Sequence, residues 1–427
     1  MRRAVAAAIP ILLAGCAPSP DRAAATDAAP ASTSVVIDAR RAASAPASAA
    51  PDAPAVLRAQ PARPPAPRTD VEQTAMKMLA RGRIVAVRRP GEGAPPGAAR
   101  CGIARLGGST PERLEALIEP GGGEPRWVDL WLAHRSRPGA WRRPLAFHRL
   151  AAAIGARIVP TAAPRRVGVA EIGPLLGALP GGPELLRDLS VLNDGTIDAL
   201  ALAPAPGPPG PRWDAADPAH AAPLGFDDRG PLCPRRAIHV ESAPEIDRWA
   251  RWAASPTPLP GERPGLVRDY VEALALDFLA GNVLRSTYLL DETAGALVLA
   301  DNAGAFPRLI HEHALDLVLS RLAAVARFPR PLRDALFRLD RAAAAAALAP
   351  GSLASLAPRA PAPPTAAAAP QNFASWLVAP RTLVGMDERR AALITLIEAR
   401  IREHGEAIAL SLDGADDAPT RPARLSP

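Results

Sequence analysis

The stretch that decides the fold runs from residue 278 to residue 306 and reads FLAGNVLRSTYLLDETAGALVLADNAGAF. It follows a segment with apolar side chains at every fourth position from Leu266 to Phe278, which predicts a buried helix over 266–280. Two short apolar runs come next, and they predict a pair of strands joined by a turn. Asp301 and Asn302 then lie in a loop of small residues.

Working outward toward the N-terminus, the predicted elements alternate between helices and strands. Thr110 is a suitable N-cap with Glu112 in the following turn, so a helix is predicted there. The predicted elements are a helix over Asp70–Arg81, a strand at 83–88, a helix over Thr110–Glu119, a strand at 126–133, a helix over Leu145–Ile154 ended by Gly155, and strands on both sides of a turn at Asn193–Gly195.

Toward the C-terminus the sequence becomes mostly helical. Further helices are predicted at 243–254, 311–327, 330–348 and 387–404, the last N-capped by Asp387 and ended by Gly405. A mixed front half followed by a helical back half predicts an α+β fold with two lobes. We place a small mixed N-lobe at 70–240 and a mostly helical C-lobe at 241–412.

The N-terminus carries the features of an export signal. Arg2 and Arg3 precede an apolar run at 4–12 that is too short to span a bilayer. The quartet Leu-Ala-Gly-Cys at 13–16 resembles the lipobox of bacterial lipoproteins, which predicts a signal peptide over 1–15 and a diacylglyceryl group on Cys16. An ordinary secretory signal is the alternative. Ala17 in place of aspartate favours the outer membrane of a bacterial cell envelope.

Two further segments have the composition of disordered chain. Residues 16–69 are rich in Ala, Pro and Ser, which predicts a tether, and 413–427 are predicted to be a disordered tail. Residues 351–370 predict a surface loop. The net charge of +7 and pI near 10.3 come from arginines scattered among acids, so no nucleic-acid partner is expected. A solvated surface with some affinity for anionic lipid or lipopolysaccharide is the better interpretation.

If Cys16 is lipidated, Cys101 and Cys233 remain as two cysteines in an oxidising compartment. They are candidates for a disulfide, and two free thiols are the alternative. Sequence spacing does not decide between the two, because a disulfide requires Cα atoms within about 7 Å.

The two loops of the opening stretch carry a family resemblance. The order helix, G-N loop, two strands, D-N loop and helical bundle over about 75–412 resembles the secretory-pathway atypical protein kinases of the Golgi casein kinase and four-jointed type. In that family the catalytic loop reads G-N-x-D-R-H and the metal loop D-N-G-x-G-F. In this chain Gly281, Asn282, Arg285, Asp301, Asn302 and Phe306 match, whereas Leu284 replaces aspartate, Ser286 replaces histidine and Ala303 replaces glycine.

The resemblance also implies a lysine that neutralises the nucleotide phosphates and a carboxylate that orients it. The lysine is expected at the end of the strand at 126–133, where Ala133, His134 and Arg135 stand, and Lys77 is far upstream. Pro144 occupies the expected position of the carboxylate. As far as the family's chemistry is kept, the resemblance implies ATP with Mg²⁺ or Mn²⁺ as cofactors. The residues implied are Asn282, Arg285 and Arg135 for the nucleotide and Asp301 and Asn302 for the metal.

Three functions remain open from the sequence. The first is a membrane-anchored pseudokinase that acts as a binding or scaffold module for an envelope protein, since leucine cannot accept a proton. The second is a divergent metal-dependent phosphotransferase or nucleotidyltransferase in which Asp277, or Asp269 and Glu272 on the same helix, replaces the missing base. For Asp277 the competing interpretation is a helix residue paired with an arginine. The third is a structural envelope lipoprotein.

Other motifs have simpler explanations. The histidines of His311-Glu312-His313 are two residues apart on a predicted helix, whereas zinc-binding pairs on helices use a spacing of four. Gly121–Gly123 lacks the spacing and the lysine of a phosphate-binding loop and predicts a turn. Trp249 and Trp252 lie at helical spacing, which suits core packing or, as the alternative, a partner surface.

Overall fold

The computed structural model describes residues 70–90, 112–121, 125–137, 139–203, 235–240, 243–291, 296–299, 302–348 and 377–412. All of them belong to one compact unit, Pro61–Pro427. The predictions for the signal peptide, Cys16, the tether, Cys101, Cys233, Asp301, the 351–370 loop and the tail lie outside the described residues. Within these ranges, no helix combines the length and the apolar character needed to cross a bilayer.

The described residues form eleven helices and eight strands, in the mixed composition that the sequence predicts. The helices are α1 (Asp70–Arg81), α2 (Arg142–Ile154), α3 (Val169–Gly177), α4 (Gly182–Asp188), α5 (Pro244–Ala254), α6 (Pro264–Ala280), α7 (Glu312–Ala323), α8 (Arg330–Arg338), α9 (Arg341–Ala347), α10 (Pro380–His404) and α11 (Glu406–Ala409). The strands are β1 (Arg83–Arg88), β2 (Arg113–Glu119), β3 (Arg126–Leu132), β4 (Ala162–Gly168), β5 (Thr196–Leu202), β6 (Arg235–His239), β7 (Thr287–Asp291) and β8 (Ala296–Val298).

The first five strands make one sheet in the order β1-β2-β3-β5-β4, and every neighbouring pair is antiparallel. The prediction of a helix over Thr110–Glu119 is wrong, because this segment contains β2. Leu114, Ala116 and Ile118 are buried alternately along β2, which is the period of a strand. Pairing with β1 on one side and β3 on the other outweighs the helical preference of the local residues.

The other three strands form a second antiparallel sheet in the order β6-β7-β8. It lies among the helices that follow the first sheet in the sequence. Three aromatic rings fill the space between α5, α6 and β7: Trp249, Tyr270 and Tyr288, with ring centroids 6.0 to 6.4 Å apart. Trp252 is buried as well. The tryptophans of α5 are therefore core residues and not a partner surface.

Two helices position the site. In α6 every residue from Ala273 to Ala280 is buried, so this helix forms the centre of the helical part. Helix α2 packs against β4 of the large sheet and also against α6, α8 and α9, and it ends at Gly155 as predicted. The helix predicted at 330–348 is split into α8 and α9 because Asp340 caps α9 by accepting a hydrogen bond from the Ala343 amide at 2.7 Å.

The start predicted for the last long helix is also wrong. Helix α10 begins at Pro380, whereas Asp387 lies inside it and accepts a hydrogen bond from Arg390 at 2.8 Å. Proline fits the first turn of a helix because its missing N–H has no partner there. The predicted end at Gly405 is confirmed by its backbone φ of 81°.

Candidate functional site

The site begins where α6 ends. Gly281 has a φ of 64°, and the amide of Asn282 donates to the carbonyl of Asp277 at 2.8 Å. A Cβ atom added at Gly281 would lie 2.4 Å from the Cδ1 atom of Ile310. Glycine is thus required here both by the left-handed backbone and by the close approach of a neighbouring loop.

That neighbouring loop holds the described part of the D-N motif, Asn302–Phe306. The amide of Phe306 donates to the carbonyl of Ala280 at 2.8 Å, and Phe306 itself has an unusual positive φ of 51°. A Cβ atom added at Gly304 would lie 2.5 Å from the side-chain oxygen of Asn282. The two loops, Gly281–Ser286 and Asn302–Ile310, are therefore in direct contact, and we call them the loop pair.

A buried ion pair occupies the centre of the loop pair. The Nε atom of Arg285 lies 2.5 Å from Oδ2 of Asp277, and its Nη2 atom lies 2.8 Å from Oδ1 of the same carboxylate. The Nδ2 atom of Asn282 donates to that Oδ1 at 2.9 Å. The side chains of Arg285 and Asp277 are both only 4% exposed. The carboxylate is thus held by three hydrogen bonds away from solvent.

The same arginine connects both loops. Its Nη2 atom donates to Oδ1 of Asn302 at 2.7 Å, while Nδ2 of Asn302 donates to the carbonyl of Leu299 at 2.7 Å. The guanidinium carbon of Arg285 lies 5.6 Å from the ring centroid of Phe147 on α2 and 5.8 Å from that of Tyr288 on β7. We call Asp277, Asn282, Arg285 and Asn302 the inner network, and it links α6, β7 and both loops under α2.

The polar side-chain atoms of the inner network already bind other protein groups. Burial raises the pKa of Asp277, and the Arg285 guanidinium and the Asn282 amide act in the opposite direction. Its two oxygens are already acceptors, so the carboxylate is not placed to take a proton from a substrate. Of the two interpretations of Asp277, the structure places it in the arginine pair. Asn282 and Arg285, the predicted nucleotide ligands, are likewise bound to protein groups.

Leu284 lies at the position where the resemblance expects the catalytic aspartate. It is 74% exposed, so it projects to solvent and does not fill a cleft. Its neighbour Ser286 is exposed as well. Neither leucine nor an unassisted serine replaces a general base near neutral pH.

The groups expected on the sheet side are also missing from the site. Ala133 follows β3 and is buried, and its amide donates to the carbonyl of Asp198 at 2.8 Å. Arg135 is exposed and uses its Nε atom to donate to the carbonyl of Leu189 at 3.1 Å. Lys77 is exposed on α1. The prediction that Arg135 binds a nucleotide phosphate therefore has no support in its observed contacts.

The first turn of α2 brings arginines where the resemblance expects a carboxylate. Pro144 is buried in this turn, and Arg143 donates from Nη1 to the carbonyl of Ala303 at 3.3 Å. Burial lowers the pKa of Arg143, and repulsion from Arg308 lowers it further. Two cations thus approach each other at the outer edge of the loop pair.

Two other carboxylates on α6 have strongly raised pKa values. Burial raises the pKa of Asp269 to about 6, although it accepts a hydrogen bond from the Leu297 amide at 3.0 Å. Burial and the nearby Asp269 raise the pKa of Glu272 to about 8. Asp269 is eight residues, or about 12 Å of helix, from Asp277, so these carboxylates are not part of the inner network.

Of the two predicted metal ligands, only Asn302 lies in the described ranges. No group of three or more His, Cys, Asp or Glu side chains in the described ranges is placed to hold a metal. Asp301, the predicted metal ligand, lies outside those ranges, and both polar atoms of the Asn302 side chain bind protein groups. His311 and His313 lie at the start of α7 and are exposed.

Sequence reasoning missed two arginines. Arg389 on α10 is buried and donates from Nε and Nη2 to the carbonyl of Leu279 at 3.1 and 2.8 Å, which caps the end of α6. Burial lowers the pKa of Arg389 to about 10. Arg143 is the second. The only signal in the sequence was the presence of paired arginines at 142–143 and 389–390.

No family model matches the sequence, and no curated protein matches it. The crystal structure of the Golgi casein kinase gives a TM-score of 0.48 at 13% identity, covering 81% of this chain and 78% of that one. The Golgi casein kinase with Mn/ADP bound gives 0.46 at 13% identity, covering 79% and 77%. The structure of hydra Fam20 with sugar gives 0.47 at 14% identity, covering 79% and 91%. The chain is similar to these three structures at low identity, and at such TM-scores the likeness says nothing about its activity.

Proposed function

We propose that this chain is an extracytoplasmic, lipid-anchored protein whose kinase-like domain does not transfer phosphate and acts as a binding or scaffold module. The observation that carries the proposal is the contrast at the catalytic loop. Leu284 stands exposed at the expected position of the proton acceptor, and the carboxylate of Asp277, near the end of the preceding helix, is bound by Arg285.

Phosphoryl transfer requires groups that neutralise the phosphates and orient the nucleophile. The lysine position holds buried Ala133, and the carboxylate position on α2 holds Pro144. Removal of a positioned general base alone typically lowers the rate by about 10²–10⁴-fold. With several of these groups replaced together, binding is the activity that the described site supports.

The anchor is the second part of the proposal. It rests on the Leu-Ala-Gly-Cys quartet at 13–16 and the Ala/Pro/Ser-rich chain that follows it. We infer attachment through a diacylglyceryl group on Cys16 in the outer membrane of a bacterial envelope, with an envelope protein as partner. Labelling of the full chain with a radioactive fatty acid tests this: Cys16→Ser is expected to abolish labelling and release the chain from membranes. A labelled, membrane-bound Cys16→Ser chain would contradict the anchor.

The proposed loss of nucleotide and metal binding is tested by measuring the melting temperature of the chain from residue 17 onward. This form keeps the whole compact unit, Pro61–Pro427. ATP, ADP, Mg²⁺ and Mn²⁺ are added singly and in combination, and no shift is expected. A ligand at about 100 times its dissociation constant would stabilise the fold by about 2.7 kcal/mol, which such a measurement detects easily.

The opposite result has a clear meaning. A metal-dependent shift that disappears in Asp301→Ala, together with release of phosphate or nucleotide transfer, would contradict the proposal and favour the phosphotransferase. The double substitution Ala133→Lys with Leu284→Asp serves as the gain-of-function control. If the chain has the family's arrangement, this variant is expected to bind nucleotide and metal more tightly than the parent.

A further inference from the structure

The outer edge of the loop pair carries an unusual combination of side chains. Leu284 is 74% exposed and Leu309 is 85% exposed, the two largest exposures among the large apolar residues of the described chain. Leu309 is preceded by Arg308, which is exposed too. We call Arg143, Leu284, Arg308 and Leu309 the rim.

Contacts between the loops bring the rim residues to one face. Leu284 lies beside Gly304, since a Cβ atom added at that glycine would be 3.9 Å from the Leu284 Cβ atom. Arg143 reaches the adjacent residue through its hydrogen bond to the Ala303 carbonyl at 3.3 Å. Ile310, next to Leu309, approaches Gly281 at the start of the other loop. Helix α2 and both loops therefore meet at the rim.

The charge of the rim is positive. Arg143 and Arg308 are close enough for their mutual repulsion to affect Arg143, and no carboxylate pairs with either of them in the described chain. The described part of the loop pair, 281–286 and 302–310, contains no acidic residue, and Asp301 immediately precedes its second segment in the sequence. An anion that comes to the rim would relieve this repulsion.

We propose that the rim is a docking surface for the anionic headgroups of a bilayer, with Arg143 and Arg308 on lipid phosphates and Leu284 and Leu309 inserted into the interface. Exposed leucines next to arginines are the combination that binds peripheral proteins to membranes, since apolar insertion and attraction to anionic lipids add. A soluble acidic ligand would use the arginines but would leave both leucines in water.

A rim that binds lipid agrees with a lipid anchor at Cys16, and this inference rests on that part of the proposed function. An anchor at Cys16 would hold the chain at a bilayer, so that every face of the compact unit stays within reach of the lipid surface. Tethering raises the local concentration of the rim at the lipid surface, so weak docking becomes effective. The net charge of +7 acts in the same direction.

Vesicle sedimentation tests the inference without the anchor. The chain from residue 17 onward is mixed with vesicles of phosphatidylcholine alone or of phosphatidylcholine with phosphatidylglycerol. Binding is expected only to the vesicles with phosphatidylglycerol, and it should weaken as salt is added. Leu284→Ser with Leu309→Ser is expected to lower the partition coefficient about tenfold. Arg143→Gln with Arg308→Gln is expected to lower it by a similar factor.

A matched control comes from α8, where Phe337 is 50% exposed and is followed by the exposed Arg338. Phe337→Ser with Arg338→Gln removes one apolar and one basic side chain that are adjacent in the sequence, like Arg308 and Leu309. This variant should leave vesicle binding unchanged. Circular dichroism confirms that each variant is folded.

Three results would overturn the inference: no binding to vesicles with phosphatidylglycerol, equal binding to neutral vesicles, or equal loss in the control pair. The first would point to a protein partner for the rim. The assay contains no nucleotide, so it can fail while the absence of phosphate transfer stands. Conversely, nucleotide transfer by the chain would contradict the proposed function without affecting the vesicle result.

Discussion

Leu284 and Arg285 are neighbours in the sequence, yet they belong to two different regions of the site. Arg285 lies in the inner network with a side chain that is 4% exposed, whereas Leu284 lies on the rim and is 74% exposed. Residues that match the kinase motifs, such as Gly281, Asn302 and Phe306, are buried in the loop pair. The replacements Leu284 and Ser286 are exposed. The matching positions are those that packing and hydrogen bonding need.

The comparison shows that a motif match can reflect the packing of two loops, whatever chemistry those loops perform. In the inner network each side chain has partners whose loss would leave a buried polar group unpaired. On the rim, a change from aspartate to leucine removes a proton acceptor but disturbs no buried contact. Similarity of the two loops to the kinase motifs is thus evidence for the shape of the loop pair and not for catalysis.

The largest expected effect is on the inner network. Arg285→Leu should lower the free energy of unfolding by about 3–5 kcal/mol, because it leaves the Asp277 carboxylate buried without its cation. Urea denaturation measures this loss. The double variant Asp277→Leu with Arg285→Leu should regain part of it, since no lone charge remains. A loss below about 1 kcal/mol for Arg285→Leu would show that the inner network is not structural.

Gly281→Ala tests the contact between the loops. It combines a φ of 64° with a Cβ position 2.4 Å from Ile310 Cδ1, and we expect a loss of about 2 kcal/mol in the free energy of unfolding. Gly195→Ala is the matched control, because it has a φ of 73° and nothing within 4 Å of the new Cβ atom. Its cost should be about 1 kcal/mol. Equal losses for both variants would contradict a tight contact at Gly281.

The pH dependence of stability tests the two carboxylates of α6 whose pKa values burial raises most clearly. The pKa of Asp269 is about 6 and that of Glu272 about 8 in the folded chain, both above the values of an unfolded chain. The folded state therefore binds more protons, and the free energy of unfolding should fall as pH rises from about 4 to 8.

Glu272→Gln should flatten this fall and raise the free energy of unfolding by about 1 kcal/mol at pH 8.5, because the unfavourable charge is absent. Thermal denaturation across a pH series measures the effect. Glu388→Gln is a control, since its side chain is exposed on α10. A parent chain that becomes more stable between pH 5 and 8 would contradict the assignment.

The smallest effect is expected on the rim. Leu284→Asp should change the free energy of unfolding by less than about 0.5 kcal/mol, because the side chain is 74% exposed. Urea denaturation measures the free energy of unfolding of Leu284→Asp and of Arg285→Leu under the same conditions, so that the two neighbouring positions are compared directly. A loss of several kcal/mol at Leu284 would show that this leucine packs against the protein and would remove it from the rim.

Much of the fold follows from sequence patterns, and the failures have physical causes. Helices α1, α2 and α6 and strands β1 and β3 follow from their apolar spacing. Strand β2 does not, since Leu114–Glu119 contains good helix formers and only its partners β1 and β3 make it a strand. The start of α10 at Pro380 was missed because the pattern of apolar residues there is weak and a better cap stands at Asp387.

The sequence motifs identified which residues form the site, but not which contacts those residues make. The motif resemblance led to Asn282, Arg285 and Asn302, and the structure brings all three together with Asp277. A sequence does not show that the arginine turns inward to Asp277, because that depends on which groups meet in space. It also does not show that Arg143, far away in the chain, reaches the carbonyl of Ala303.

The hydrogen bonds from Arg389 to the carbonyl of Leu279 join residues 110 positions apart. A chain that is synthesised from its N-terminus has made α6 and both loops before residue 389 emerges from the ribosome. Until then the last turn of α6 lacks its cap, and contacts of such sequence separation form slowly because a long loop must close. Capping of α6 by Arg389 is therefore a late step of folding, which waits until most of the C-terminal helices have been made.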